Sequence, residues 1–547
     1  MLDDLDLTTI TDPALRQVVQ HMLNVIEQQA ATIQTLRADI QRLKDENARL
    51  KGEQGKPAIK PSGAAKNYSS ERERREPTQR GPRKKRTITI DREETCTLNP
   101  NLLPADAVFV GYAEVTIQDL ILRTDNILFR CERWESASQQ TSYVAPLPPG
   151  YHGDFGPSIN ALALTLAHET LISQPKLLDL FALGGVSVSA GTLASWLLDR
   201  EGRFAADHDA LYEAGLRASP AQGIDDTGTR VNGQNQHCHI VCNPLMTSYH
   251  TCTHKDRLTV IDVLRNGRPR AFLVNAEALD LMAQLGVSAT QRARIAPLVL
   301  TDPTPLDAAA FAVVLEIHLP GLGSQQRQRV REAAAIAAYR AQTDWPVVQL
   351  LVGDDAGQWK QITAELALCW VHDGRHYTKL EPVIAAHRRT LTRFRERYWR
   401  YYHTLRAYQR APTPARRRRL ERRFDQLFTT LTGYAALDDR IAKTRAHKHE
   451  LLQVLAHPEI PLHNNAAELA ARQRVRKRDV SFGPRTAAGA TAWDTFQSIV
   501  ATARKLGVNV YRYFYDRSSE KMALPSLAEV ITQRAQELRL GASWETA

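Results

Sequence analysis

The stretch Gln222–Val231, QGIDDTGTRV, decides the fold of this chain. It reads as a strand, and the runs VNGQNQHCHIVCN and LMTSYHTCTH that follow read as the next strands of a meander. A central strand of this kind would carry the carboxylate of Asp225 to one end of a sheet. Asp226 follows directly, and because adjacent side chains of a strand point to opposite faces, strand alternation leaves the choice between the two acids open.

Two further acids lie in settings that suit a shared site. Asp354 ends the apolar run VVQLLVGDD, which is too short for a membrane span and fits a buried strand. Glu468 lies in the helical stretch HNNAAELAARQRVRKR, on one face with Asn464 and Arg472. Singly, such acids are more often turn formers, helix N-caps or partners in helical ion pairs. Their joint occurrence on three separate elements favours a common site.

The chemistry of phosphoryl transfer explains why carboxylates are needed. Such a reaction uses two divalent cations roughly 3.5 to 4 Å apart. Mg²⁺ takes oxygen ligands and is usually held by one or two carboxylates together with the phosphates of the substrate. Three acids on separate rigid elements meet that requirement, with Asp226 and Asp355 as neighbours of the first two.

The blocks IDDTGTRVNGQNQ, LLVGDDAGQW with LCWVH, and HNNAAELAARQRVRKRDVSFG together resemble the catalytic blocks of IS66-family transposases, the DDE enzymes of a bacterial insertion-sequence group. Matched block by block, the resemblance implies Asp225, Asp354 and Glu468 as catalytic, metal-binding residues. It also implies two Mg²⁺ ions, with Mn²⁺ as an alternative, bound together with DNA. The implied reaction cleaves the ends of the element and joins their 3′ hydroxyls to target DNA. Two alternatives stay open: a catalytically inactive, transposase-derived DNA-binding protein, and a related nuclease without strand transfer.

The expected architecture is multidomain α+β, with an RNase H-like α/β catalytic core interrupted by helical insertions. The spacings 354 − 225 = 129 and 468 − 354 = 114 are long for a minimal core and require inserted material. In chain order, the predicted divisions are a coiled-coil dimerisation helix at 1–53, a basic flexible linker at 54–92, a small β domain at 93–150, a helical, helix-turn-helix-like DNA-binding domain at 151–222, the first part of the core with extra helices at 223–377, a basic helical insertion at 378–460, the final core helix region at 461–515 and a C-terminal tail at 516–547.

Composition narrows the class of partner. The 547 residues carry a net charge of +11, which favours a polyanion, and double-stranded DNA of the element ends and the target is the predicted partner. No apolar stretch approaches the ~18 residues of a membrane span, and the N-terminus is acidic where a signal peptide would be basic. We therefore expect a cytoplasmic, nucleoid-associated protein; whether accessory transposition proteins are needed stays open.

Residues 19–50 show the clearest periodicity in the chain. A heptad pattern with β-branched residues at a and mostly leucine at d favours a parallel two-stranded coil, and hence a homodimer. The alternative is a single amphipathic helix packed on its own domain. The a positions are Val19, Ile26, Ile33, Ile40 and Asn47, and the d positions are Met22, Gln29, Leu36, Leu43 and Leu50.

Two predictions concern the region between the linker and the first acid. The alternating runs AEVTIQDLILR and NILFRCERW indicate a small β domain. Relatives often carry a zinc module there, but Cys96 and Cys131 offer two thiolates where a structural site wants four ligands, so no zinc is expected. Further on, QPKLLDLFALGG and SVSAGTLASWLLDR predict a helical pair with Ser189 as an N-cap, which either reads DNA or simply packs.

Three remaining motifs each have a functional and a simpler interpretation. The insertion interleaves arginines with aromatic residues, which is typical of a phosphate-facing bundle or, equally, of a solvated face over an aromatic core. The crowded His and Cys residues at 237–254 suggest zinc, but Cys238 and Cys242 would lie roughly 13 Å apart on one strand, which favours ordinary sheet residues. For His372, in the run LCWVH, a supporting role is favoured over a chemical one.

Overall fold

A computed structural model describes residues 10–50, 89–99, 104, 106–200, 202–299 and 304–545. The predicted linker at 54–92 therefore lies outside the described residues, apart from 89–92. The fold is α+β, with a two-stranded hairpin and a mixed sheet of five strands. The strands are β1 Arg133–Ser136, β2 Thr141–Val144, β3 Ala221–Val231, β4 Gln234–Cys242, β5 Thr247–Cys252, β6 Leu350–Gly353 and β7 Glu365–Leu368.

Helices precede, interrupt and follow the sheet. Before it lie α1 Pro13–Leu50, α2 Pro157–His168, α3 Gln174–Leu183, α4 Ala190–Leu197 and α5 Arg203–Ala218. Between β5 and β6 lie α6 Arg257–Leu264, α7 Ala276–Gln284, α8 Ala289–Ile295, α9 Ala308–His318 and α10 Ser324–Ala341. After β7 come α11 Trp370–Thr378, α12 Ala385–Arg410, α13 Pro414–Phe428, α14 Ala435–Ala446, α15 Lys448–Leu451, α16 Asn465–Ser481, α17 Ala487–Lys505, α18 Val510–Ser518, α19 Leu527–Leu538 and α20 Ala542–Glu545.

The five-stranded sheet has the order β5-β4-β3-β6-β7. Strands β3, β4 and β5 form the predicted antiparallel meander, whereas β6 and β7 run parallel to β3. The sheet edge at β5 is covered by α17, because Ser498 Oγ and Asp494 Oδ2 accept the backbone N–H groups of Tyr249 at 2.9 Å and Thr251 at 2.6 Å. That cover blocks pairing with another strand at this edge.

The two faces of the sheet pack against different helices. On one face, Ile224, Val241 and Leu351 join a large apolar core that also includes residues of α2 to α10 and of α17 to α19. On the opposite face, α16 packs on β3 and β4 through small alanines, and the helical insertion packs on β6 and β7. The insertion has its own aromatic core, in which Tyr401 is fully buried.

The large core crosses two of the predicted domain boundaries. Helices α2 to α5 share it with the sheet, so the boundary at 222 does not separate two cores. Likewise Leu527 and Ile531 of α19 are buried in it, so much of the stretch predicted as a tail is structural. The expected pair of helices does form as α3 and α4, and Ser189 Oγ accepts the N–H of Thr192 at 3.0 Å as predicted.

The small β domain expected at 93–150 is reduced to the hairpin of β1 and β2. The strand predicted at AEVTIQDLILR is wrong, because residues 113–123 are described without a strand. Over the described parts of the chain, their apolar side chains, such as Val115 at 81 % and Leu120 at 80 % exposed, pack against no sheet or helix. An alternating sequence forms a stable strand only where a partner strand and an apolar surface exist.

Helix α1 forms where the heptad pattern lies. It extends over 38 residues, or roughly 57 Å at 1.5 Å per residue. Over the described ranges of the chain, no helix combines the length and the apolarity that a membrane span requires.

Candidate active site on one face of the sheet

The register of β3 and β6 places Asp225 and Asp354 at matching positions. Gly223 pairs with Val352 as the last pair between these parallel strands, and each aspartate lies two residues beyond it, Asp225 within β3 and Asp354 just after the end of β6. Because side chains alternate along a strand, each aspartate projects from the same face as the residue two before it. Both carboxylates therefore stand on the face that α16 and the insertion cover.

Glu468 reaches that face from the first turn of α16. The helix is tied to β3 by Asn464, whose Nδ2 donates to the carbonyl oxygen of Ile224 at 2.5 Å. The approach is close, since a Cβ atom on Gly223 would lie 3.0 Å from Asn464 Oδ1. The backbone N–H of Glu468 donates to the carbonyl of Asn464 at 3.1 Å, so the tethered turn also carries the acid.

Asp354 is fixed by two donors that follow it in the chain. Its Oδ1 accepts the indole N–H of Trp359 at 2.7 Å and the backbone N–H of Ala356 at 3.2 Å. Trp359 is 1 % exposed, so its indole is itself held by packing. One oxygen of Asp354 is thereby engaged in a fixed geometry.

Glu468 is held differently, by a cation from α11. Arg375 Nη2 donates to Glu468 Oε2 at 2.8 Å, and Arg472 Nη2 lies 3.7 Å from the same oxygen. The Arg375 and Glu468 side chains are 22 % and 16 % exposed, whereas that of Arg472 is 42 % exposed. The closer and more buried arginine is therefore the main counter-charge of this carboxylate.

The electrostatics of Asp225 show that the acids influence one another. Burial, together with the negative charges of Asp354, Glu468 and Asp226, raises the pKa of Asp225 to about 7 against the opposing effect of the backbone N–H of Asp226. Near neutral pH this carboxyl group is therefore partly protonated. A positive charge placed among these carboxylates would favour its ionised form.

The donor set suits a hard divalent cation, although its present geometry does not enclose one. Within the described ranges, no group of three His, Cys, Asp or Glu side chains is arranged to hold a metal ion. Glu468 is turned towards Arg375, and one oxygen of Asp354 is bound to Trp359. Three oxygen-bearing acids on one face, with the pKa of Asp225 raised partly by the other two, still match the ligand chemistry of Mg²⁺.

The acids that follow Asp225 and Asp354 in the sequence, Asp226 and Asp355, contact other residues. Asp226 Oδ2 accepts the side-chain amide of Gln358 at 2.8 Å. Asp355 forms an ion pair with Lys360 at 2.7 Å, and its second oxygen lies 3.4 Å from His447 Nε2. Strand alternation places Asp226 on the face opposite Asp225, so the two acids have different surroundings, and the choice of Asp225 as the metal ligand stays a prediction.

Cys369 and His372 begin helix α11. The Cys369 sulfur accepts the backbone N–H of His372 at 3.4 Å and that of Asn464 at 3.3 Å, so it joins the starts of α11 and α16. Burial raises the pKa of this thiol to about 11, and it stays protonated. The His372 ring lies 5.2 Å from the ring of His376, on the same helix as Arg375.

Sequence reasoning missed two residues of the site, Arg375 and Trp359. Arg375 lies three positions after His372, a spacing that puts both on one side of a helix, and this was the available signal. The sequence contained no comparable pattern that would predict the contact of Trp359 with Asp354. The His and Cys residues at 237–254 lie in and around β4 and β5 as predicted, with Cys238 and His239 fully buried.

The structure of the basic insertion tests one of the two interpretations of its sequence. Phe394, Tyr398 and Tyr402 are buried in its core, while the run Arg416–Arg419 on α13 is exposed. The aromatic core with solvated arginines is therefore confirmed. Whether the arginines contact phosphates stays a prediction.

Comparison with known proteins identifies a family that part of the chain matches. Residues 328–492 match the model of the transposase IS66 family, a range that includes Asp354 and Glu468. The chain is 31 % identical over 333 residues to the uncharacterized protein y4jO of Sinorhizobium fredii, an alignment that covers 59 % of this chain and 100 % of that protein. No solved structure matches the chain.

Proposed function

The chain belongs to the IS66 family of transposases, and we propose that it is an active DNA transposase. In this proposal it cleaves the ends of an insertion sequence and joins the freed 3′ hydroxyls to target DNA. The observation that carries the proposal is the placement of Asp225, Asp354 and Glu468 on one face of the sheet. The order of the sheet, an antiparallel meander continued by two parallel strands, supports an RNase H-like core.

In the proposed site, Asp225, Asp354 and Glu468 would hold Mg²⁺, or Mn²⁺ in its place, together with the DNA. Such ions activate the attacking oxygen and stabilise the leaving oxygen of an in-line displacement. Asp225 would lose its proton as the site fills, because its raised pKa depends on burial and on the neighbouring negative charges. Arg375 would release Glu468 and become free to contact a DNA phosphate.

Charge distribution supports a DNA partner. The net charge is +11, and the exposed arginines of α13 lie on the insertion that packs beside the site. Guanidinium groups bind phosphate oxygens in a fork geometry, so this surface suits a DNA backbone. The pair α3 and α4 is a second candidate contact. A homodimer through α1 would let one assembly hold two element ends.

Two other functions share these features. A transposase-derived protein that only binds DNA would keep the basic surfaces and lack metal-dependent cleavage. A related nuclease would cleave but leave its 3′ ends unjoined. Both differ from the proposal in the product they give.

The test uses DNA that carries the inverted repeats flanking the coding region. Purified full-length protein is incubated with labelled end DNA, target DNA and Mg²⁺, with EDTA in a parallel reaction. We expect cleaved and joined products that require the metal and that Asp225→Ala abolishes. The matched variant Asp226→Ala, whose side chain lies on the other face, should retain both products. Joining by Asp225→Ala would remove that residue from the site, and cleavage without joining would favour the nuclease.

A further inference from the structure

Helix α1 contacts the helical insertion through one of its faces. Leu23 is buried there at 2 % exposure, although most residues of α1 are exposed. Glu27 Oε1 lies 3.3 Å from His387 Nδ1, and these two side chains are 10 % and 3 % exposed. The ring of His387 in turn stacks on Tyr434 at 4.5 Å between centroids. The contact between α1 and the insertion is therefore well packed and has a buried polar centre.

The same face of α1 caps two helices of the insertion. Helices α12 and α14 begin after Ile384 and Tyr434, and neither residue provides a side-chain cap. The Glu27 carboxylate accepts the backbone N–H groups of Val383 at 3.0 Å and Ile384 at 2.8 Å. A carboxylate at the start of a helix satisfies free N–H groups and favours the helix dipole.

Asn24 caps the second of these helices, α14. Its Oδ1 accepts the backbone N–H of Ala435 at 3.0 Å, and its Nδ2 donates to the carbonyl of Gly433 at 3.1 Å. Two helix starts in the insertion are thus completed by residues about 360 and 410 positions earlier in the chain. Such long-range caps indicate a specific docking contact, because ordinary caps come from the residue just before the helix.

The heptad stripe lies on a different face of α1. Its residues Met22, Ile33 and Leu36 are 59 %, 49 % and 53 % exposed, and Ile40 and Leu43 are 52 % and 59 % exposed. At 100° per residue, the stripe near Met22 and Ile26 is turned about a third of a circle from the docked residues. One helix therefore has a face bound to the insertion and an apolar face that is open.

We propose that α1 is a two-sided connector between subunits and insertion. The face with Leu23, Asn24 and Glu27 stays docked on α12 and α14, and the heptad stripe pairs with α1 of a second copy. A dimer would then hold two insertions at a defined separation. The pairing half rests on the proposed homodimer, and the docking half rests on the contacts of Asn24 and Glu27.

The connection reaches the candidate site through the insertion. On α14, Thr444 Oγ1 donates to Asp373 Oδ1 of α11 at 3.0 Å, and Arg440 forms an ion pair with the same carboxylate. Two residues further along α11, Arg375 holds Glu468. The bundle that α1 caps is therefore the one that positions the counter-charge of a proposed metal ligand.

The experiment separates the two faces in the full-length protein. Amide hydrogen exchange is followed in the segments around 383–385 and 433–436, and molar mass is measured by light scattering. In Asn24→Ala/Glu27→Ala we expect exchange about tenfold faster in both segments, with the dimer mass retained. In Ile33→Asp/Leu36→Asp we expect the monomer mass with wild-type exchange. Gln28→Ala/Glu46→Ala, at exposed positions of the same helix, is the matched control and should change neither readout.

Unchanged exchange in Asn24→Ala/Glu27→Ala would overturn the docking half of the proposal. Faster exchange in Ile33→Asp/Leu36→Asp would show that the two faces are not independent and would also overturn it. A monomeric wild-type protein would overturn the pairing half. Neither readout involves DNA chemistry, so these outcomes are distinct from failure of the proposed transposase activity.

Discussion

The sheet side and the helix side of the candidate site restrain their acids in different ways. On the sheet side, the ladder between β3 and β6 sets Asp225 and Asp354, and Trp359 fixes an oxygen of Asp354. On the helix side, Glu468 is held by Arg375 from another helix. Backbone pairing gives the sheet side a fixed geometry, whereas an ion pair can exchange its partner. The site therefore combines a rigid part with one that can rearrange when the substrate arrives.

The largest expected effect tests whether both sides are needed. Asp354→Asn on the sheet side and Glu468→Gln on the helix side should each reduce metal-dependent cleavage by at least about a thousandfold, because each removes a charge that stabilises the transition state. Single-turnover cleavage of labelled end DNA measures both rates. Asp355→Asn is the control and should stay within about threefold of wild type. Near-normal cleavage by Glu468→Gln would restrict the active groups to the sheet side.

The next prediction concerns the stability that the protein loses when Asp225 on the sheet side is ionised. The pKa of Asp225 is raised from 3.8 to about 7, so this group contributes stability below about pH 4 that is lost as the pH rises to about 7. Asp225→Asn should therefore increase the free energy of unfolding at pH 8 by about 2 kcal/mol without metal, and by less at pH 5. Urea unfolding at the two pH values measures this. An equal gain at both would contradict the raised pKa.

Arg375 tests the helix side of the site, where an ion pair can exchange its partner. Arg375→Gln should tighten binding of Mn²⁺ several-fold, because the cation no longer competes with a guanidinium for Glu468, and should slow cleavage about tenfold. Calorimetry and single-turnover kinetics measure the two changes. The control is Arg472→Gln, whose guanidinium lies further from Glu468 and is more exposed. Weaker metal binding in Arg375→Gln would mean that the arginine supports the site only structurally.

The smallest effect is expected from the support on the sheet side. Trp359→Phe removes the indole donor to Asp354 and should lower the free energy of unfolding by about 1 to 2 kcal/mol and slow cleavage about threefold to fivefold. Trp345→Phe loses a comparable buried bond, to the carbonyl of Leu264, and should cost similar stability while leaving cleavage unchanged. Thermal unfolding and cleavage rates compare the pair. Equal cleavage losses would show that Asp354 does not depend on its donor.

The sequence predicted an element correctly where its pattern also indicated what the element packs against. Strands β3, β4 and β6 and helix α16 were predictable because their patterns match the packing on both sides of the sheet. Residues 113–123 alternate equally well and form no strand, since the pattern does not tell whether a partner surface exists. Pairs far apart in the chain, such as Arg375 with Glu468 and Glu27 with Ile384, depend on tertiary packing, and no sequence pattern links the two partners of such a pair. The faces on which Asp225 and Asp226 lie became clear only from the packing of Ile224 in the large core.

The bond between Asn464 and Ile224 spans 240 positions of the chain. A ribosome delivers β3 and β6 before α16, so the nascent polypeptide has its first two acids 114 residues before the third. We expect an unfinished chain to be harmless to the DNA around it, even when its first helices have already folded. Completion of synthesis would then itself act as the safeguard on the proposed cleavage activity.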